Sequence, residues 1–338
     1  MINVGILGAT GAVGQRFVHL LADHPWFCLH TLTASERSAG KRYADVVNWR
    51  LDVPFPESVG DLTISPTTAD AVKDCDIVFS ALPADVAQGI EEEVAAKGVG
   101  VCSNASSHRM DPDVPLVIAE VNPDHLGLID VQHDRGRDGF IVTNPNCSTI
   151  MLTLALEPLR KFGFSSVQVA TMQAISGAGF NGVAAMDIYD NVVPFIRNEE
   201  EKMATEPRKI MGSFDGSGVE MAPFLVSACC NRVPVIDGHT LSVWVDIDRP
   251  LEEVRKAFSE YAAPFSGLPT QPAKSVEYFD QPDRPQPRLD RNRGRGMTVS
   301  VGRLREGVRF TALGHNTIRG AAGASVLNAE LIYMKKYL

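Results

Sequence analysis

Short apolar runs alternate with amphipathic stretches along the first part of the chain. Residues 2–7 form a compact apolar run typical of a strand buried on both faces, and residues 13–21 then place apolar side chains at helical spacing. The same alternation predicts later strands and helices at 28–33 (strand), 77–82 (strand), 86–97 (helix), 100–102 (strand), 141–143 (strand) and 148–162 (helix, with Pro158 able to kink or end it). Repeated strand–helix units predict a parallel sheet covered by helices.

The pattern changes near residue 165. Longer runs with few helices between them predict strands at 166–175, 224–233, 240–247, 297–305 and 309–313. This succession is typical of an α+β domain with a largely antiparallel sheet. Residues 320–337 are rich in alanine and predict a helix that packs back on the first part of the chain. A length of 338 residues suits two domains, and we expect them at 1–146, completed by 320–338, and at 147–319.

Composition and charge exclude several classes of protein. The net charge of -9 argues against non-specific nucleic-acid binding, and the one basic, Pro-rich stretch at 284–295 reads as a solvated loop or a subunit contact. The chain contains no apolar run of about 18 residues and no signal-peptide pattern at its start, so we expect no membrane span and a cytoplasmic protein. The six cysteines form no CxxC pair or metal-ligand spacing, so no metal is expected.

A glycine-rich turn lies between the first strand and the first helix. Its sequence at 8–14 is GATGAVG, and glycines there permit a tight turn, close approach of a pyrophosphate and tight helix–strand packing. The start of the helix then offers free amides and the positive end of its dipole to phosphate. In this position the turn predicts a Rossmann-like dinucleotide-binding domain.

The end of the second strand bears on which dinucleotide is bound. An NAD site usually carries an acidic residue there, whereas this chain has Ser35, Arg37, Ser38 and Lys41, which suit a 2′-phosphate. Glu36 could supply the acid if the turn were shifted by one residue, and the whole segment could also be a solvated turn. We interpret the pattern as favouring NADP.

One cysteine has a neighbourhood that suits chemistry. Cys147 follows Asn144-Pro145-Asn146 at the end of a strand and the start of a helix. Helix amides and the helix dipole lower a thiol pKa, and they can form an oxyanion hole for a carbonyl attacked by the sulfur. Asn146 adds a side-chain donor. A buried structural cysteine is the general alternative, but the glycine-rich turn upstream favours a catalytic thiol.

In these features the chain resembles the aspartate-semialdehyde dehydrogenases of the branch found in archaea and some fungi. The resemblance runs nearly end to end and rests on the joint order of GATGAVGQ at 8–15, SNASSHRM at 103–110, NPNCST at 144–149, QAISGAG at 173–179, EEEK at 199–202, RVPVIDGH at 232–239 and HNTIRGAAGASVLNAEL at 315–331. It implies NADP-dependent, reversible reduction of L-aspartyl-4-phosphate to L-aspartate 4-semialdehyde through a Cys147 thioester, in lysine, threonine and methionine biosynthesis.

The resemblance also implies roles for individual residues. Cys147 would be the nucleophile, His239 the general acid and base, and Gln173 would orient the substrate. Arg232 would bind the α-carboxylate of the substrate, and Glu199 would bind its amino group. Arg109 and Lys202 would bind phosphate. The residues expected to contact the cofactor are Gly8, Thr10, Gly11, Ala12, Val13, Ser35, Arg37, Ser38 and Leu82, with Ser176, Gly177 and Asn316 on the nicotinamide side.

Each of these residues has a simpler interpretation. The acidic run at 199–201 suits an exposed helix start. Arg109 could be a surface residue of a loop, and Arg232 could bridge two strands. His239 follows Asp-Gly at a predicted turn. His108 and His315 also lie beside motifs, so only the family pattern ranks His239 first.

Related activities and assembly states complete the set of hypotheses. The Asn-Cys-Ser context counts against N-acetyl-glutamyl-phosphate reductase and glyceraldehyde-phosphate dehydrogenase, whose cysteines lie in Gly-Cys-Tyr and Ser-Cys-Thr-Thr contexts. Malonyl-CoA reductase stays open as an alternative, because a thioester substrate could use the same cysteine and base. A non-catalytic nucleotide-binding regulator would be expected to lose Cys147 or His239, and both are present. The partners expected are small-molecule substrates and further copies of the chain, as a homodimer or homotetramer.

Overall fold

The computed structural model describes all 338 residues. Its first sheet has six strands, all parallel, in the order β3-β2-β1-β4-β5-β6. These strands are β1 (Ile2–Leu7), β2 (Phe27–Ala34), β3 (Ile64–Pro66), β4 (Ile77–Ser80), β5 (Gly100–Ser103) and β6 (Phe140–Thr143). This is the order of a doubly wound dinucleotide-binding sheet. The predicted Rossmann-like fold is confirmed.

Helices cover both faces of this sheet, which explains the unbroken apolar runs. The neighbouring residues Ile6 and Leu7 of β1 point into two different apolar clusters, one on each face. The helices that follow the strands are α1 (Ala12–Leu21), α2 (Tyr43–Val46), α3 (Ala84–Ala95), α4 (Leu128–Asp134) and α5 (Cys147–Leu156). Helix α5 ends before Pro158 and continues as a 3₁₀ turn, Glu157–Phe162.

The second sheet is mixed, with the order β10-β7-β11-β14-β13-β12. Its three central pairings are antiparallel, whereas β10 with β7 and β12 with β13 are parallel. Its strands, with a small separate hairpin of β8 and β9, are β7 (Ser166–Gln173), β8 (Ser213–Phe214), β9 (Val219–Glu220), β10 (Leu225–Arg232), β11 (His239–Val245), β12 (Val276–Phe279), β13 (Val299–Arg305) and β14 (Arg309–Gly314). The expected α+β second domain is therefore present.

One face of the second sheet packs on a large apolar core, together with α5. The helices of this part of the chain are α6 (Ala185–Ile188), α7 (Glu199–Ile210), α8 (Leu251–Ser259) and α9 (Pro287–Asp290). The sequence analysis did not predict α8, although Leu251, Val254 and Phe258 recur in it at helical spacing. No helix is both long and apolar enough to cross a membrane.

The last part of the chain returns to the first sheet. The expected single helix over 320–337 is instead a π-helical turn, Ile318–Ala322, followed by α10 (Gly323–Met334). Val326, Leu327 and Ile332 of α10 lie in the apolar cluster beneath β1 and β4. The end of the chain therefore packs on the first sheet.

The basic segment at 284–295 is more firmly packed than a solvated loop. Arg284 pairs with the fully buried Asp290, and Arg293 pairs with Glu277. A Cβ atom at Gly238, which has φ of +102°, would lie 3.2 Å from the Pro287 side chain. The segment therefore supports the turn that leads into β11.

Candidate active site

The start of α5 places Cys147 at the floor of the cleft between the domains. Asn146 caps the helix, because its Oδ1 accepts the backbone N–H groups of Ser148 (3.0 Å) and Thr149 (3.2 Å). All residues from Ser148 to Leu156 are buried, as in a helix at the centre of a protein. The cap and the burial hold the first residue of the helix in one position.

Cys147 and His239 form a close pair. The Cys147 Sγ lies 3.3 Å from the His239 Nε2, and the His239 Nδ1 accepts the Ala174 backbone N–H at 3.0 Å. A neutral imidazole carries one N–H, so an accepting Nδ1 assigns that hydrogen to Nε2, facing the sulfur. Burial, followed by the charge of Arg232, holds the His239 pKa well below its usual range. The ring is therefore neutral and donates toward Cys147.

The Cys147 thiol is protonated in the free protein. Burial raises its pKa to about 12, with the Glu199 carboxylate as the next cause and the Arg232 charge acting in the opposite direction. The expected lowering of this pKa is therefore wrong in its net direction. The Ser148 amide does favour the thiolate, but it is shared with Asn146 Oδ1, and burial dominates.

Three strand ends explain how distant residues meet beside this pair. Gln173 and Arg232 are register partners at the ends of the parallel strands β7 and β10, and His239 begins the antiparallel strand β11. All three therefore lie at one edge of the sheet. The Arg232 Nη1 donates to the Ala174 carbonyl at 2.8 Å, and a Cβ atom at Gly177 would lie only 2.8 Å from that same Nη1.

One face of α7 carries the carboxylates of the site. Glu199, Lys202, Glu206 and Lys209 are three or four residues apart, the spacing of one helix face. The buried Glu199 accepts bonds from Asn146 Nδ2 (2.9 Å), Gln173 Nε2 (2.9 Å) and Ser148 Oγ (3.2 Å).

These contacts change the interpretation of Asn146. We expected its side chain to donate to the substrate, but its Nδ2 is bonded to Glu199 and its Oδ1 caps α5. Asn146 therefore fixes Glu199 and Cys147 relative to each other. The Gln173 amide likewise donates to Glu199.

A second carboxylate on the α7 face holds Arg109. Glu206 Oε1 accepts from Arg109 Nη1 at 2.9 Å, and its Oε2 accepts the Asn146 backbone N–H at 2.8 Å. Arg109 Nη2 donates to the Asn104 carbonyl at 2.8 Å, whereas its Nε–H is buried and has no acceptor in the protein. Lys202 lines the same cavity and forms no ion pair within the chain. This corner suits an anion.

The cavity above Cys147 has a volume of about 490 Å³ and is lined by both domains. It brings together many of the predicted residues, namely Ala12, Val13, Leu82, Arg109, Asn146, Cys147, Ser176, Gly177, Lys202 and Asn316. Gln173, Glu199, Arg232 and His239 lie outside this lining: His239 contacts the sulfur, the charges of Glu199 and Arg232 act on it, and Gln173 is bonded to Glu199. The Asn316 side chain donates to the Ser176 hydroxyl at 2.8 Å, which links two segments of the second domain in this wall.

The glycine turn at the other side of the cavity fits a dinucleotide. Gly8 has φ of +83°, and a Cβ atom at Gly14 would lie 2.1 Å from the Gly8 carbonyl oxygen. Gly11 precedes α1, and no side chain caps the helix. The first amides beyond Thr10 and Gly11 are therefore available to a pyrophosphate.

The turn after β2 is more open. Ser35 and Arg37 are exposed and Ser38 is half-buried. The Lys41 Nζ donates to the Arg37 carbonyl at 2.9 Å, and Glu36 is exposed beside them. The turn therefore presents hydroxyls and two cations to solvent at the edge of the sheet where a dinucleotide ribose would lie.

Sequence reasoning missed two residues that shape the site. Glu206 could have been found by extending the helical face of Glu199 by two turns. Gly320 lies in the π-helical turn behind the nucleophile, and a Cβ atom there would lie 2.6 Å from the Cys147 Cβ. Its signals were a glycine in an alanine-rich stretch and its place in the segment 315–331 that carries the family resemblance.

A doubly wound domain joined to a mixed-sheet domain, with a cysteine–histidine pair in the cleft, defines a class of cysteine-dependent dehydrogenases. Two family models match the chain: "Semialdehyde dehydrogenase, NAD binding domain" at residues 3–129 and "Semialdehyde dehydrogenase, dimerisation domain" at residues 156–319.

Individual relatives narrow the class. The aspartate-semialdehyde dehydrogenase of Archaeoglobus fulgidus is 54% identical, with 99% of each chain covered, and that of Methanothermobacter thermautotrophicus is 55% identical, with 98% of this chain and 99% of the relative covered. A crystal structure of aspartate-semialdehyde dehydrogenase with NADP from Candida albicans superposes with a TM-score of 0.91 at 42% identity, covering 100% of both chains. This chain belongs to the aspartate-semialdehyde dehydrogenase family.

Proposed function

We propose that this protein catalyses the reversible, NADP-dependent reduction of L-aspartyl-4-phosphate to L-aspartate 4-semialdehyde with release of inorganic phosphate. The observation that carries the proposal is the Cys147–His239 pair, 3.3 Å apart, on the floor of a cavity whose wall holds Arg109 and Lys202. The named relatives are all aspartate-semialdehyde dehydrogenases, which disfavours malonyl-CoA reductase as the activity.

The first half of the reaction builds a thioester. The Cys147 sulfur attacks the acyl carbon of the substrate, the carbon–sulfur bond forms, and the bond from carbon to the phosphate oxygen breaks. The proton of the thiol leaves with the phosphate. The Nε2–H of His239 faces the reacting atoms and donates to the oxygen that gains negative charge in the transition state.

The second half reduces the thioester to the aldehyde. NADPH, when bound, supplies the hydride that reduces the acyl carbon. The Nε2–H of His239 then protonates the resulting oxyanion and recovers this proton when the carbon–sulfur bond breaks, which makes it an acid and a base in turn. Cys147 departs as a thiolate and takes up one proton, in keeping with its raised pKa.

Two charged subsites would hold the substrate. Arg232 is buried beside the sulfur and suits the α-carboxylate, and Glu199 suits the amino group. Arg109 and Lys202 suit the phosphate. Arg109 lines the cavity, and its Nη1 and Nη2 each keep an N–H beyond the bonds to Glu206 and Asn104, which supports this assignment.

The first domain would hold the cofactor. We assign the pyrophosphate to the turn and helix start formed by Gly8, Thr10, Gly11, Ala12 and Val13, and the 2′-phosphate to Ser35, Arg37 and Ser38. Leu82, Ser176, Gly177 and Asn316 would line the nicotinamide end. On this basis residues 1–146 and 320–338 form the NADP-binding domain, and residues 147–319 complete the nicotinamide end, carry the nucleophile and the base, and form the contact between subunits.

A homodimer would bury the free face of the second sheet. Side chains along β7 alternate between the core and the outside, so that Met172 is 36% exposed, and Trp244 of β11 is 37% exposed on the same side. Leu225 at the start of β10 is 65% exposed, and Tyr189 and Phe195 in the segment between α6 and α7 are 81% and 70% exposed. An apolar surface of this kind indicates an interface. Light scattering of the purified protein should give twice the chain mass.

A steady-state assay tests the activity. The purified protein should reduce NADP in the presence of both aspartate semialdehyde and phosphate, with little reduction when either is omitted. Oxidation of NADPH with malonyl-CoA should be negligible. Turnover of malonyl-CoA without turnover of the semialdehyde would replace the proposed substrate, and inactivity with both would remove the proposal.

A further inference from the structure

We propose that Glu206 is a positioning residue that couples the phosphate-binding Arg109 to the start of the catalytic helix. The inference rests on the proposed function only in that Arg109 binds the phosphate of the substrate. Nothing in the family motifs pointed to Glu206, which lies two turns beyond Glu199 on α7.

The two oxygens of Glu206 have different partners. Oε1 accepts from the Arg109 guanidinium at 2.9 Å, and Oε2 accepts the backbone N–H of Asn146 at 2.8 Å. Glu206 is 2% exposed and Arg109 is 7% exposed, so water does not compete for these contacts. One carboxylate therefore ties the anion corner to the residue that precedes Cys147.

The same contacts decide which edge of Arg109 is left for a ligand. Glu206 takes one N–H of Nη1 and Asn104 takes one N–H of Nη2, so each of these nitrogens keeps a second N–H, and Arg109 lines the cavity. A guanidinium bonded through both Nη1 and Nη2 is held in one orientation beside the cavity. Glu206 thus presents Arg109 to phosphate at a fixed distance from the nucleophile.

An amide cannot replace this carboxylate. Both partners of Glu206 are donors, whereas a glutamine of the same size offers one acceptor and one donor. Glu206→Gln must therefore break one of the two contacts while filling the same space. Glu206→Asp keeps two acceptor oxygens and the charge but leaves a small void. If Glu206 acts by positioning its partners, Glu206→Asp should be less damaging than Glu206→Gln. If it acts through packing alone, Glu206→Gln should be less damaging than Glu206→Asp.

The test compares these variants in the full-length protein, using the KM for inorganic phosphate, the KM for aspartate semialdehyde, and equilibrium dialysis of inorganic phosphate. Glu206→Gln should raise the phosphate KM about 10-fold and the semialdehyde KM less than about twofold, because it weakens a charge-assisted contact to one subsite. Glu206→Asp should fall between the wild type and Glu206→Gln. If Glu206→Gln does not fold, as judged by circular dichroism, the phosphate KM of Glu206→Asp is compared with that of Arg109→Met.

A double-mutant cycle isolates the coupling. Adding Glu206→Gln to Arg109→Met should not raise the phosphate KM further, because the residue through which Glu206 acts is already absent. Glu330→Gln is the matched control: Glu330 is also fully buried and accepts from His24 Nε2 and the Thr270 backbone N–H, away from the cleft. It should lower stability without a selective change in phosphate KM.

The outcomes separate this inference from the proposed function. Additive effects of Glu206→Gln and Arg109→Met, equal rises in both KM values, or a more damaging Asp variant would overturn the role of Glu206. A wild type without phosphate-dependent activity would overturn the proposed function instead. Dialysis then decides: weaker phosphate binding in Glu206→Gln but not in Glu330→Gln supports the role, and equal binding in the wild type and both variants removes it.

Discussion

The two ends of the cleft are built differently. Around Cys147, the buried carboxylates of Glu199 and Glu206 accept from the side chain and the backbone N–H of Asn146, and His239 accepts a backbone amide. The turn at 35–38, where we assign the cofactor 2′-phosphate, is mostly exposed. Bond formation requires atoms held within a fraction of an ångström, whereas a surface phosphate needs only nearby charge. Substitutions should therefore be severe at the first end and mild at the second.

The nucleophile gives the largest expected effect. Cys147→Ser should lower phosphate-dependent turnover by about 10⁴-fold or more, because a serine hydroxyl is far harder to ionise than a thiol and His239 already carries its ring proton. NADP affinity, measured by fluorescence titration, should stay within about twofold, since the glycine turn is untouched. Turnover close to the wild-type rate would disprove the thioester mechanism, and parallel loss of NADP binding would show that the variant is misfolded.

Gly320 tests whether the sulfur needs its observed position. In Gly320→Ala the new Cβ would lie 2.6 Å from the Cys147 Cβ and 3.1 Å from its Cα, so the helix start must shift. A displacement of about 1 Å at a reacting atom costs roughly 100-fold in kcat.

A matched glycine variant controls for the added methyl group. Gly89→Ala on α3 adds a Cβ that meets nothing within 4 Å, so kcat should be unchanged and stability should rise by about 0.5–1 kcal/mol. Stopped-flow turnover and thermal denaturation of the two variants provide the comparison. Unchanged kcat in Gly320→Ala would mean that the catalytic end tolerates displacement, and the contrast between the two ends would fail.

The features predicted from sequence are those with a local signature. The glycine turn at 8–14 and Cys147 at a helix start both depend on neighbours in the chain, and the structure places them as expected. The meeting of Gln173, Arg232 and His239 depends on the register of three strands, which no local pattern contains. Only the family resemblance brought these residues together in advance.

The contacts of Glu206 and Gly320 and the pKa of the thiol could not be predicted from local patterns, because they depend on how the chain packs. The contacts of Glu206 and the close approach of Gly320 are set by how α7 and the π-helical turn pack against α5. The thiol pKa was predicted in the wrong direction, because a helix start is visible in sequence whereas burial beside Glu199 is a property of the folded cleft.

Alkylation of the thiol measures this property directly. The Cys147 pKa of about 12 means that the thiolate fraction of the free protein should rise about tenfold per pH unit from pH 6 to pH 10, without a plateau. At pH 7, iodoacetamide should modify Cys147 more slowly than the exposed Cys28 and Cys229, as measured by mass spectrometry of their peptides. A plateau below pH 8 would indicate a thiol activated by the helix start, as the sequence alone suggested.

Substitution of Arg37 should have the smallest effect on activity, and it tests the exposed end of the cleft. Arg37→Ala should raise the KM for NADP about fivefold and leave kcat and the KM for NAD nearly unchanged, because an exposed cation interacts weakly with a phosphate screened by salt. The effect should shrink as ionic strength rises. Arg42→Ala is the control, since Arg42 is also exposed but is already paired with Asp61. An unchanged NADP KM in Arg37→Ala would place the 2′-phosphate elsewhere. A rise of more than about 100-fold in the NADP KM would show that this turn, despite its exposure, is held as firmly when the cofactor binds as the buried network around Cys147.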